Sequence, residues 1–244
     1  MAIYDRLSAQ DRSFLELESP NHHMHVAGCF IFERGALSTP AGGVDIEKVR
    51  EYVASRLHRI PRYRQRIAWI PLENHPVWVD DDRFNIHYHV RHTALPAPGD
   101  ERQLKRFCGR VMSQQLDRGK PLWEMWVVEG LEHDRFALVS KTHHCMVDGI
   151  SGVDLLAVLL SPTPDKEFVP AARWLPNPTP GGGVLLRDAL LRRVELPFAI
   201  VGAVGAALRA VQLRVGQVAQ VRSRGHRHVG QCQLHMLALA AQAP

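Results

Sequence analysis

Long apolar runs are missing from this 244-residue chain: the uncharged stretch from Leu196 to Leu208 is about a dozen residues, short of the ~20 that a membrane-spanning helix needs. Cysteine is scarce too. The four residues, Cys29, Cys108, Cys145 and Cys232, show no paired spacing, which argues against a disulfide framework and against a cysteine-based metal repeat. The N-terminus, Met1-Ala2-Ile3-Tyr4-Asp5, lacks a basic-then-apolar leader, so a reducing cytoplasm is the expected compartment. Charge of one sign never accumulates in a long run. The formal net charge of +5 suits an anionic small molecule or an anionic membrane face, and no nucleic-acid-binding motif is present. At 45% hydrophobic residues, the chain has ample material for one large core or two small ones.

What is present concentrates at Lys141-Thr142-His143-His144-Cys145-Met146-Val147-Asp148-Gly149. The preceding residues, Arg135 to Ser140, are short, apolar and β-prone, and Gly149 to Leu160 reads as a buried helix, so the motif is expected between a strand and a helix. If the strand continues to His144, then Phe136, Leu138, Ser140, Thr142 and His144 share one face. His143 lies on the other with Ala137, Val139 and Cys145. A neutral imidazole at the strand end can take a proton from a hydroxyl or thiol. Two alternatives compete with that chemistry. A metal site has the right ligand types in two His and an Asp, but strand alternation separates the imidazoles and no further Cys or Glu lies at a ligand spacing, so no metal is expected. In the other alternative both histidines are hydrogen-bonded core residues and Asp148 caps the following helix.

His143-His144-x-x-x-Asp148-Gly149 resembles the signature of the acyl-CoA-dependent acyltransferases that include chloramphenicol acetyltransferase. Other stretches narrow the resemblance: Leu7 to Glu18 followed by Met24-His25-Val26-Ala27-Gly28, then Pro121-Leu122-Trp123-Glu124, and Ser140-Lys141 before the motif with Gly149-Ile150-Ser151-Gly152 after it. In that order they resemble the bacterial wax ester synthase/diacylglycerol acyltransferase family.

The resemblance implies an α/β fold, the mixed-sheet sandwich half of the chloramphenicol-acetyltransferase-like architecture followed by a helical linker. It also implies an O-acyltransferase that moves a long acyl chain from acyl-CoA to diacylglycerol or a fatty alcohol. Carried over by residue, His144 is the general base, His143 supports it, Asp148 orients the motif and Gly149 leaves the turn free of a side chain. Acyl-CoA is a cosubstrate, no cofactor is held permanently, and no residues for binding coenzyme A are assigned. Cys145 is not expected to act as a nucleophile, because adjacent strand residues point apart.

Along the chain, His23 to Phe32 reads as a strand, Ile46 to Ile67 as a helix interrupted at Pro61, and Pro76 to Val79 and Phe84 to Val90 as strands. Asp100 to Leu116 is an amphipathic helix with Leu104, Phe107, Cys108 and Val111 on one stripe. Leu122 to Leu131 and Arg135 to Cys145 are neighbouring strands joined at Glu132-His133-Asp134. His23 and His25 are read as structural rather than metal-binding. Residues 1–183 form the expected acyltransferase domain, ending in a proline-rich loop from Pro162 to Pro180 and Gly181-Gly182-Gly183. Residues 184–220 form a linker of two helical stretches broken near Pro197. Its arginines, Arg187, Arg192, Arg193, Arg209 and Arg214, suit either ordinary packing or an anionic lipid surface, at the inner membrane face or a lipid droplet.

Residues 221–244, with His226, His228 and Cys232, do not match the family as expected after the linker, and a second domain is expected to be absent, as in a truncated or frameshifted product. Such a chain would transfer acyl groups poorly in isolation, self-associate through an uncovered interdomain face, or persist as an inactive lipid- or partner-binding fragment.

Overall fold

The structure, a computed structural model, describes residues 4–147 and 173–193. Asp148, Gly149, the expected helix up to Leu160, most of the proline-rich loop, residues 194–220 of the linker and residues 221–244 lie outside the described residues. The chain divides into two compact units, 1–186 and 187–244, and the labelled strands and helices below belong to the first.

Those elements run β1 (Asp5–Arg6), α1 (Ala9–Leu17), β2 (His25–Glu33), α2 (Ile46–Arg56), β3 (Gln65–Ile70), β4 (His75–Asp80), α3 (Ile86–His89), β5 (Val90–Ala94), α4 (Glu101–Met112), β6 (Trp123–Leu131) and β7 (Arg135–His143). Residues 182–193 are helical. The main sheet has the order β2-β7-β6-β5, with β2, β7 and β6 antiparallel and β5 parallel to β6. It is therefore the mixed sheet expected of this fold. A second, antiparallel sheet has the order β1-β4-β3.

Local sequence accounts for most of these elements. Ser8 caps α1 by accepting from the Asp11 amide, and Asp45 caps α2 by accepting from that of Lys48. Asp100 and Gln103 form a reciprocal capping box at the start of α4. Gly99 and Gly130 pass close together at positive φ of 76° and 81°. A Cβ on Gly99 would fall 1.8 Å from the Gly130 carbonyl oxygen, so the approach of the α4 entry to β6 requires glycine.

Two expectations are corrected. The helix read from Ile46 to Ile67 ends at Arg56, passes through 3₁₀ turns, and gives way to strand β3 at Gln65. Pro61 stands at the start of the second turn, where its fixed φ and missing amide are tolerated, and Ile67 points into the core as a strand residue. Phe84 to Val90 is not a strand: the Asn85 side chain accepts from the His87 amide at 2.9 Å and caps the short helix α3, delaying β5 until Val90.

Two apolar layers flank the main sheet. Phe136 and Leu138 of β7 join Leu15, Val53, Tyr63, Trp123 and Met125 on one side. Ala137 and Val139 join Leu104 and Val111 of α4 on the other. The period-two alternation read from the sequence is thus realised along β7.

Candidate active site

β7 is a central strand, and its end is held from both neighbours. The His143 amide donates to the Leu122 carbonyl at 2.9 Å and the His144 amide to the Met24 carbonyl at 2.7 Å. Two of the other stretches that carry the family resemblance, at Met24 and at Leu122, therefore meet the motif here. Extended backbone stops at His143, and His144-Cys145-Met146 form a 3₁₀ turn. The His143 side chain starts that turn, its Nδ1 accepting from the Cys145 amide at 3.1 Å.

This corrects the face assignment beyond the strand. Cys145 does not lie with Ala137 and Val139; the turn rotates it into the layer containing Phe136 and Leu138, where burial pushes its thiol well above the usual range. A buried, protonated thiol is a poor nucleophile, in agreement with the rejection of a Cys/His pair.

His144 stays half-buried at the sheet end. Its ring stacks on Phe14 of α1, with centroids 4.0 Å apart and planes at 25°, and its Nδ1 is buried without a hydrogen bond among the described residues. His143, by contrast, is 1% exposed and faces Glu18, with Nε2 3.6 Å from Oε2. Glu18 follows α1 and is fixed by Arg118, whose Nε and Nη2 donate to Oε2 at 3.2 and 2.7 Å, and by Gln115 Nε2 at 3.1 Å. His25 Nε2 lies 3.3 Å and His23 Nδ1 3.9 Å from Oε1 of the same carboxylate.

The structure thus separates the two histidines, one toward Phe14 and one into a buried polar cluster. Phe14 and Glu18 carry no sequence signal for that arrangement beyond membership of the Leu7 to Glu18 stretch, and Arg118 lies in none of the matching stretches. Among the described residues no group of three His, Cys, Asp or Glu is arranged to hold a metal ion, and His23 and His25 sit in this cluster as structural neighbours.

Burial pulls His143 down to about 4 despite the opposing pull of Glu18, and does the same to His25, which also feels Lys141. For Glu18, burial pushes upward, but hydrogen bonds from Arg118 and Gln115 together with His143 bring the carboxyl below its ordinary value. The core residue His89, stacked on Trp123, is likewise lowered by burial to about 4.

These three rings accept protons in the unfolded chain near their ordinary 6.5 but in the folded chain only near 4. Stability is therefore complete above pH 6.5 and declines as pH falls toward 4, by on the order of 1 kcal/mol per pH unit for each ring. Denaturant midpoints measured between pH 4.5 and 7.5 are expected to fall steadily on the acid side; a flat profile would contradict the buried, neutral assignment.

Below the turn, Lys141 is fully buried and its Nζ donates to the Val111 carbonyl at 2.7 Å, the Gln114 carbonyl at 2.5 Å and Glu124 Oε1 at 2.9 Å. Val111 and Gln114 lie at and just past the C-terminal end of α4, where a cation is favoured by the helix dipole. Lys141 is therefore an anchor of α4 to the sheet. A cleft of about 480 Å³ opens beside the Glu18 cluster, lined by Tyr88, Arg91, Gln115 and Arg118 among others; His144 is not part of its lining.

A mixed sheet that presents a His-His pair at the end of its central strand, ahead of Asp148-Gly149 in the sequence, defines an acyltransferase domain of the chloramphenicol-acetyltransferase-like class. More narrowly, the model of the wax ester synthase/diacylglycerol acyltransferase catalytic domain matches residues 7–240, and the chain belongs to that family.

Among its relatives, the probable diacylglycerol O-acyltransferase tgs3 of Mycobacterium tuberculosis is 38% identical over 216 residues, covering 88% of this chain and 78% of that protein. MT1809 of the same organism is 39% identical over 214 residues, covering 87% of this chain but 39% of its own length. The solved wax ester synthase/diacylglycerol acyltransferase of Marinobacter aquaeolei VT8 superposes with a TM-score of 0.54 at 31% identity, over 62% of this chain and 37% of that one. The chain thus spans most of one relative and well under half of the other two.

Proposed function

We propose that this chain serves O-acyl transfer from a long-chain acyl-CoA to diacylglycerol or a fatty alcohol, with His144 as the general base. The observation that carries the reading is the placement of His144: at the end of the central strand, its backbone held by Met24 and its ring by Phe14, while its neighbour is buried against Glu18. A base so held keeps its orientation without a covalent role.

In this reaction the acceptor hydroxyl gives its proton to the His144 ring as its oxygen attacks the thioester carbonyl. The tetrahedral adduct then collapses, the carbon–sulfur bond breaks, and the departing coenzyme A thiolate takes the proton back. The new ester and the free thiol balance the step, and no acyl-enzyme forms. Asp148 orients the motif and Gly149 leaves the turn open, roles drawn from the family pattern. The chemistry calls for no permanently bound cofactor.

The acceptors are lipids, so the reading includes peripheral association with an anionic membrane face or lipid droplet. What supports it is the exposed basic side of α4, Arg102, Lys105, Arg106 and Arg110; among the described residues no helix is long and apolar enough to cross a membrane. Self-association belongs to the same proposal.

The test supplies purified chain with labelled long-chain acyl-CoA and either diacylglycerol or a fatty alcohol, so that slow turnover is also detected. Thiol and ester are expected in equal amounts. Thiol release without ester, or no reaction with either acceptor, would overturn the assignment.

A further inference from the structure

The Glu18 cluster is the most highly organised polar feature of the described residues outside His144 itself. Its carboxylate sits on a side chain only 1% exposed, and a buried charge of this kind is costly unless it is fully partnered. Oε2 is well supplied by Arg118 and Gln115, and Arg118 is itself tied to the Leu15 carbonyl at 2.9 Å. Among the described residues Oε1 is buried with no hydrogen bond, as are Nε2 of His25 and Nε2 of His143. Burying these groups together adds little to stability compared with an apolar cluster of the same volume. Their arrangement therefore points to orientation.

The protonation state of His143 follows from its contacts. Nδ1 accepts a hydrogen bond from the Cys145 amide, so that nitrogen carries no proton. In the neutral ring the proton is then on Nε2, the atom that faces Glu18 at 3.6 Å. That separation exceeds a formed hydrogen bond, yet a carboxylate there still favours Nε2–H over the other tautomer. If the proton moved to Nδ1, the Cys145 amide would lose its acceptor, and the turn that begins at His144 would lose the contact that starts it.

We propose that Glu18 is a positioning residue for acyl transfer: it holds His143 in the Nε2–H tautomer, and through the bond from the Cys145 amide to His143 it fixes the turn that presents His144 against Phe14. The proposal rests on the reading of His144 as the base only for its effect on rate; its effect on the two rings stands apart from that reading. The line of contacts runs from Arg118 to Glu18, to His143, to the Cys145 amide and so to the catalytic turn. It resembles in logic any orienting carboxylate that acts through a histidine, where the carboxylate itself never meets substrate.

The test uses the full chain with two substitutions, Glu18→Gln, which keeps shape and removes charge, and Glu18→Leu, which removes the acceptor. ¹⁵N-histidine NMR is expected to show His143 with a bare Nδ1 and a protonated Nε2 in the parent. In both variants the population shifts toward the other tautomer, and the ring-current shift that Phe14 imposes on His144 diminishes. In the acyl-transfer assay kcat falls by at least tenfold in Glu18→Leu and less in Glu18→Gln, with KM for acyl-CoA within twofold. If Glu18→Leu does not fold, Glu18→Gln decides alone.

Unchanged His143 and His144 signals overturn the proposal, whether or not kcat falls, since Glu18 would then act by another route. Altered signals with unchanged kcat overturn it equally where His144→Ala abolishes turnover. Where His144→Ala remains active, the general-base reading fails instead, and the NMR signals alone decide whether Glu18 positions the turn.

Discussion

Replacing His144 by alanine is expected to lower acyl transfer by ~10²- to 10⁴-fold, the range for loss of a positioned general base. The fold should survive, because His144 is half-buried at the end of the sheet and its backbone amide, not its ring, makes the bond to Met24. The loss should fall on kcat, since the ring acts when the hydroxyl is deprotonated rather than when acyl-CoA binds. Cys145→Ala provides the control: its buried, protonated thiol takes no part, and the rate should remain within a few-fold of the parent. Assays of thiol release and ester formation, with melting curves for both variants, check the prediction. Full activity in His144→Ala, or an acyl group trapped on Cys145, would reject the mechanism.

The largest effect on stability is expected from Lys141→Met, about 3–5 kcal/mol, the cost of removing one partner of a buried ion pair. Among the described residues Glu124 would keep its charge with only Arg91, 3.4 Å from Oε2, to offset it, and the Val111 and Gln114 carbonyls would lose their donor. The measurement is the denaturant midpoint at neutral pH with an unchanged m value. The double variant Lys141→Met/Glu124→Leu should recover part of the loss, because the charge left without a partner is then that of the partly exposed Arg91 and not a buried carboxylate. A Lys141→Met protein as stable as the parent would show that this lysine does not anchor α4.

That lysine illustrates how local pattern and tertiary context divide the information. The run Arg135-Phe136-Ala137-Leu138-Val139-Ser140-Lys141-Thr142 alternates two apolar faces, and a period of two is a property of the extended backbone, so strand β7 was legible without neighbours. Nothing in the run says that Lys141 is buried. Only the arrival of Glu124 from β6 and of the α4 carbonyls makes a dry ammonium tolerable there, and those partners lie 17 to 30 positions away in the chain.

The helix α4 was likewise readable from its apolar stripe. Ile67 and Phe84 to Val90 were not, because a short apolar segment suits strand or helix equally until its packing partners choose.

At the site, residue types and spacing by themselves determined that His143-His144 would stand at a strand end, and the order of four motifs identified the family. The tertiary structure decided what each imidazole faces. Strand alternation was expected to separate the two rings, but the actual divide comes from the 3₁₀ turn that begins at His144 and from α1, which brings Phe14 to one ring and Glu18 to the other across more than 120 residues of chain. Burial, electrostatic orientation and stacking depend on distances in space. The sequence encodes such distances only through the fold as a whole, which is why the motif could be found in the sequence while the residues packed around it could not.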